Sequence, residues 1–117
     1  MREPQHPPRG ELDLSSVLHA LSDPARLSIV RRLAYDGECH CGCFELGISK
    51  ATLSHHYRVL REAGVIHCRP DGRKRYLTLR REDLEVRFPG LLDAVLVSDA
   101  AGAQNGRVAA AAAAHPH

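Results

Sequence analysis

The chain has no tryptophan, a single methionine and few aromatic residues: Tyr35, Phe44, Tyr57, Tyr76 and Phe88. With so few large rings, the core of a 117-residue chain must rest on Leu, Val, Ile and Ala, and such a core is thin. A second subunit is one common way to complete it. No early segment joins a basic start to an apolar stretch of signal-peptide length. The longest apolar run, Val108 to Ala114, is far shorter than a bilayer span. The length excludes a large multidomain enzyme, and the missing segments lead to the expectation of a cytoplasmic protein with no membrane partner. In that setting the four cysteines, Cys39, Cys41, Cys43 and Cys68, are expected to be reduced thiols rather than a disulfide framework.

Charge is present in quantity but unevenly placed. Between Lys50 and Arg81 nine basic residues face two acids, a net of +7, which leaves −5 for the rest of a chain whose overall charge is +2. Either this third of the sequence faces a polyanion or it is an arginine-rich solvated face.

Patterning then divides the chain. Residues 1–10 hold three prolines with almost nothing to bury, and residues 99–117 end in an Ala-rich tract, so both are expected to be disordered tails around a domain at 11–98. Leu14, Val17, Leu18 and Leu21 recur at helical spacing and predict a first helix from Leu12 to Leu21. Asp23 caps a second helix with Pro24 in its first turn, and Gly37 ends it. Ser49 caps the clearest helix, which runs to Ala63 before Gly64. One side of it carries Leu53, His56, Tyr57 and Leu60. Ala51, Ser54, His55, Arg58 and Glu62 point the other way, with Lys50 and Arg61 at the margin. Two strands follow around Asp71-Gly72, a dipeptide suited to a tight hairpin, with Arg69, Arg73, Lys74 and Arg75 at its tip. A last apolar stripe of Leu91, Leu92, Val95 and Leu96 is expected to bury surface, together with the first helix, against a partner subunit. The fold expected is mainly α with a small β-hairpin.

This order of a capped helix with a small polar face and then a basic hairpin matches a winged helix-turn-helix. The chain resembles the ArsR/SmtB family of bacterial repressors through Leu21-Ser-Asp-Pro-Ala-Arg-Leu27, Ser49-Lys-Ala-Thr-Leu-Ser-His-His56 and Val59-Leu-Arg-Glu-Ala-Gly-Val-Ile66. The resemblance implies a homodimer built from the first and last helices on a near-palindromic operator in double-stranded DNA. It implies that Ser49, Lys50, Ala51, Thr52, Ser54 and His55 face bases or nearby phosphates with Arg58 beside them. Arg73, Lys74 and Arg75 would be wing contacts, and His56 would be structural. One departure stands out. Family members have a full helix before the recognition helix, where this chain has Cys39-His-Cys-Gly-Cys-Phe-Glu-Leu-Gly47, so a short or irregular scaffold is expected.

Many members of the family sense metals, and nickel-responsive regulators of superoxide dismutase in actinobacteria are similar proteins. Here the cysteines sit out of step with the usual Cys-x-Cys pair, and the last helix lacks histidine. Cys39, Cys41 and Cys43 would converge if extended. Eight histidines, His40 and the tail pair His115 and His117 among them, add nitrogen donors of the type that suits nickel or zinc. Ligand type permits such a cofactor, but no spacing assigns a metal residue. An enzyme is not expected, since no oriented nucleophile and base are apparent. Two alternatives to a metal-responsive regulator remain: a thiol redox switch acting on DNA binding, and a winged-helix interaction module that does not bind DNA.

Overall fold

Short polar caps decide where this chain turns helical. In the computed structural model, which describes residues 5–44 and 46–99, Asp13 accepts a hydrogen bond from the Ser16 backbone N–H at 2.9 Å and starts α1, Leu14–Ala20. The first helix is thus shorter than Leu12 to Leu21, because Asp13 takes extended backbone angles. Asp23 accepts from the N–H groups of Ala25 and Arg26 and starts α2, Pro24–Asp36, which closes at Gly37 with φ +80°. Ser49 accepts from Thr52 at 3.1 Å and opens α3, Lys50–Glu62. After the wing, α4 spans Arg81–Arg87 with Glu82 and Asp83 in its first turn. Residues 91–99 are again helical beyond Pro89-Gly90.

The sheet is larger than the expected hairpin. Strand β1, Cys39–His40, joins β2, Ile66–Asp71, and β3, Lys74–Leu79, in an antiparallel sheet of order β1-β3-β2. Two residues are too few to leave a periodic signature, which is why β1 could not be read from the sequence. Asp71 pairs with Lys74, so the connection is Gly72-Arg73, one residue later than the expected Asp71-Gly72 turn. Gly72 sits at φ +63° and supplies the left-handed position that the two-residue loop requires.

The core lies where α1, α2, α3 and the inner sheet face meet. Val17, Ile29, Val30, Leu60, Val65, Ile66 and Leu77 are essentially sealed from water. Leu92 and Leu96 join the core of their own chain, whereas Leu14, Leu18, Val86 and Val97 stay exposed.

The expected N-terminal tail 1–10 is corrected in its described part. Residues 5–12 run as a strap over the sheet edge and the end of α3. His6 stacks on His67 with centroids 4.3 Å apart and accepts from the Cys68 N–H at 3.0 Å. The carbonyls of Gln5 and Pro7 accept from Arg61 and Arg80, Arg9 pairs with Asp83, and Leu12 is buried in the core. Residues 1–4 and 100–117 lie outside the described residues, and with them most of the expected Ala-rich tail. Asp99, expected in that tail, is helical and pairs with Arg31 at 2.6 Å. Among the described residues no helix is long and apolar enough to cross a membrane.

Candidate nucleic-acid interface

Side chains three and four apart share one face of a helix, so the burial of Leu60 and His56 turns the opposite residues of α3 outward. Ser49, Lys50, Ala51, Thr52, Ser54, His55 and Arg58 are all exposed, while Leu53 and Tyr57 are half-buried on the core side. Ser49 and Thr52 also hydrogen-bond through their hydroxyls at 3.0 Å, which fixes the first turn of this face. The short side chains of Ala51 and Ser54 leave the helix able to approach another surface closely.

The scaffold beneath α3 is irregular, as the two glycines of Cys39–Gly47 led one to expect. A single 3-10 turn, Cys41–Cys43, replaces a full helix. It is held to α3 by the Tyr57 hydroxyl, which donates to the Cys41 carbonyl at 2.7 Å, and by the edge-on packing of Phe44 on Tyr57. Burial, with the Cys41 and Cys43 thiols adding to it, pushes the Tyr57 hydroxyl far above its ordinary titration range, so it stays a neutral donor. On the other side Arg32 donates to the Cys43 carbonyl at 2.9 Å and stacks over Phe44.

The basic stretch separates into two groups. Arg69 is committed to Glu38 at 3.1 Å and lies over the Tyr76 ring, away from the hairpin tip where it was expected. Arg80 pairs with Asp83 at 2.9 Å, and Arg81 lies 3.8 Å from Asp93. These three are engaged with acids of the same chain. Arg73 and Lys74 stand exposed at the tip, and Arg75 is half-buried behind them. Between α3 and the wing lies a cleft of about 500 Å³ lined by Ser54, Arg58, Arg61 and Arg75, with Tyr57 and Cys41 at its base. Arg61, read from the sequence as marginal, is therefore part of this basic surface. The sheet that turns Arg75 toward α3 carries the signal, and helical periodicity alone does not.

Of the metal donors expected from the sequence, Cys39 and Cys43 meet side chain to side chain, but no third donor among the described residues joins them. Only Cys39 and His40 are extended, and the 3-10 turn that follows ends the alternation that would have aligned Cys39, Cys41 and Cys43. Cys39 is buried beside Leu77, with Cys68 on the other side of that residue in the sheet. His40 Nδ1 accepts from the Gly42 N–H at 3.1 Å. Among the described residues no three His, Cys, Asp or Glu side chains are placed to hold a metal ion. His115 and His117 lie outside the described residues.

Comparison with known proteins places the chain in a family. A family model described as "Bacterial regulatory protein, arsR family" matches residues 23–67, from the cap of α2 to the second residue of β2. An uncharacterized HTH-type transcriptional regulator, YceK, of Bacillus subtilis (strain 168) is 39% identical over 83 residues, 68% of this chain and 82% of that protein. The arsenical resistance operon repressor of Staphylococcus xylosus is 36% identical over 74 residues, 62% of this chain and 71% of its own. Among solved structures, the transcriptional repressor BigR from Xylella fastidiosa superimposes with a TM-score of 0.57 at 31% identity, covering 72% of this chain and 83% of that one. None of these relatives supports the nickel-responsive resemblance.

Proposed function

Because the chain belongs to the ArsR family of bacterial regulatory proteins and is a transcriptional regulator of that type, we propose that it binds double-stranded operator DNA as a homodimer. Regulators of this type are not enzymes. In the proposed complex α3 enters the major groove, with Lys50, Ala51, Ser54 and His55 toward base edges. Ser49 and Thr52 lie at the phosphates beside its N-terminus, and Arg58 sits next to them. Arg73, Lys74 and Arg75 reach the flanking backbone or minor groove. One observation carries this reading: the exposed face of α3 and the cationic wing border one basic cleft. A phosphodiester backbone is the polyanion whose shape suits such a cleft.

The dimer is proposed through α1 and the helical residues 91–99. Leu14 and Leu18 on α1 are each 46% exposed and Val97 is 69% exposed, a larger apolar display than these short helices need. Two-fold symmetry then calls for a near-palindromic operator with half-sites about 34 Å apart. A folded unit at 11–98, with the strap from Gln5 laid against it and Asp99 continuing its last helix, and a location in the cytoplasm, at the nucleoid, belong to the same proposal. Nickel or zinc as effector is left out of it, because the donor geometry among the described residues gives neither a seat.

The test is fluorescence anisotropy with a duplex from upstream of the protein's own gene, titrated with salt. Affinity should fall steeply as salt rises, since each neutralised phosphate releases counterions, with a slope of roughly −0.9 per contact. A protein indifferent to every such fragment in dilute buffer would instead be an interaction module on a winged-helix scaffold. Sedimentation at the same concentrations tests the dimer.

A further inference from the structure

We propose that Arg26 and His56 are positioning residues for DNA reading: one buried guanidinium ties α3, through a neutral imidazole, to the end of α1, so the orientation of the reading face depends on whether His56 carries a second proton. This rests on the assignment of α3 as the helix that enters the groove.

Arg26 is 7% exposed and His56 9% exposed, the two buried polar side chains of the described core. Arg26 Nε donates to the Ala20 carbonyl at 2.7 Å, and Nη2 donates to the His19 carbonyl at 3.3 Å. Both acceptors lie at the C-terminus of α1, where the helix dipole also favours a cation. The third arm of the fork, Nη1, lies 3.1 Å from His56 Nδ1 in the middle of α3. A guanidinium has donors and no acceptor, and it does not lose its proton in a protein. Nδ1 must therefore offer its lone pair, which puts the ring proton on Nε2.

The charged groups around this contact are few. Asp23, at the start of α2, faces both Arg26 and His56. Partial desolvation raises its carboxyl, but the N–H groups of Arg26 and Ala25, with the Arg26 guanidinium, outweigh that and hold it below the ordinary range. From α1, His19 supplies only its carbonyl to this contact. From α3 itself, His55 lies with its ring 5.9 Å from that of His56 and is exposed. One carboxylate thus offsets one guanidinium, and no second acid among these groups could accommodate a further cation.

A proton added at Nδ1 would convert the acceptor into a donor and set two cations against each other in a site shielded from water. The contact then breaks. His56 sits between Ser54 and His55 on one side and Arg58 on the other, so a ring that turns away moves the face those residues present. Because α1 is the proposed dimer helix, the same guanidinium joins the subunit interface to the DNA-reading surface.

The experiment compares the full-length wild type with His56→Asn, whose amide oxygen offers an acceptor near the Nδ1 position and does not titrate. Affinity for the upstream duplex is measured by anisotropy from about pH 8 to about pH 5 at constant ionic strength, because a neighbouring guanidinium and burial both oppose the second proton. Wild-type affinity should fall several-fold further than the variant's, with the difference confined to the acid end of that range. His55 is common to both proteins, so the difference between the profiles belongs to His56. Nitrogen resonances of the wild-type imidazole at the higher pH should show the proton on Nε2, a measurement that stands even if the variant does not fold. Arg26→Lys keeps the charge without the fork, and it should lose several-fold in operator affinity while retaining its helical circular dichroism. Parallel pH profiles, or a proton on Nδ1, would overturn the proposal. A wild type that binds no fragment at either pH would remove the groove assignment itself, a failure distinct from the other two.

Discussion

Tyr57 and Cys41 join α3 to the loop beneath it, the phenol donating to the backbone carbonyl at 2.7 Å. This bond takes over part of what a regular scaffold helix does in the family resemblance, where side chains of two helices pack along their length. Here the support is one turn, and a single side chain from α3 reaches across to it. The loop is in turn anchored from behind by Arg32 on the Cys43 carbonyl.

Tyr57→Phe keeps the ring that packs on Phe44 and deletes only the donor. The Cys41 carbonyl then loses its partner in a half-buried site, and the expected loss of stability is about 1 kcal/mol. Urea denaturation of the two proteins measures it. If the loop positions the helix, operator affinity should fall more than affinity for random duplex.

Gly64 ends α3 at φ +86°, and a Cβ there would lie well inside van der Waals contact with the Leu12 side chain. Gly64→Ala therefore meets both a disfavoured backbone angle and an overpacked neighbour. A loss of about 3 kcal/mol is expected, read from the shift in the denaturation midpoint. The strap should be released along with it, so protection of the Cys68 amide against hydrogen exchange should drop in the same variant.

The elements legible in the sequence were those with chemistry at their ends. Asp23-Pro24 and Ser49 announce the starts of α2 and α3, and the outward set of Ala51, Ser54, His55 and Arg58 follows from the apolar spacing of Leu53, Tyr57 and Leu60. Three things were not legible, each for its own reason. Strand β1 has two residues and exists only because β3 offers an edge. The hairpin turn slid by one residue because strand pairing, not the Asp-Gly signal, fixes the register at Asp71 and Lys74. The strap at residues 5–12 is held by backbone carbonyls, a histidine ring and Leu12, none of which leaves a hydropathy pattern. For the site, the exposed face was visible in one helix, whereas the cleft that brings Arg61 to Arg75 required the sheet.

Asp83 gathers Arg9 at 2.6 Å and Arg80 at 2.9 Å, and so fastens the strap to α4. The hydrogen bond from Arg9 outweighs desolvation, and with Arg80 it holds this carboxyl below the usual range. A carboxyl depressed in the folded state contributes stability above the unfolded value, near pH 4, and that contribution is lost as pH falls through the lower folded value. Asp83→Asn should accordingly be less stable than wild type at neutral pH by about 1 kcal/mol or less, since the pairs are partly exposed. The gap should close on acidification below about pH 4. Denaturation midpoints taken at neutral and acid pH check the sign.

The division of the basic stretch into structural and outward groups makes a sharper demand on DNA binding than net charge does. Arg69, Arg80 and Arg81 are engaged with acids of their own chain, so replacing them should cost DNA affinity less than replacing the outward group, with a change in stability concentrated at Arg80, the most buried of the three. Replacing Arg73, Lys74 and Arg75 together by Ala should weaken every duplex similarly and flatten the salt dependence by up to about three units of slope for each wing, because phosphate contacts carry no sequence information. Lys50→Ala and Ser54→Ala act on the exposed face proposed to meet base edges, and they should weaken the operator more than random duplex. The discriminating quantity is the ratio of operator to random affinity: unchanged in the triple wing variant, reduced in the two helix variants. If that ratio fell in the wing variant and held in the helix variants, the wing would be the reader and α3 the anchor, opposite to the exposure and side-chain size found on each.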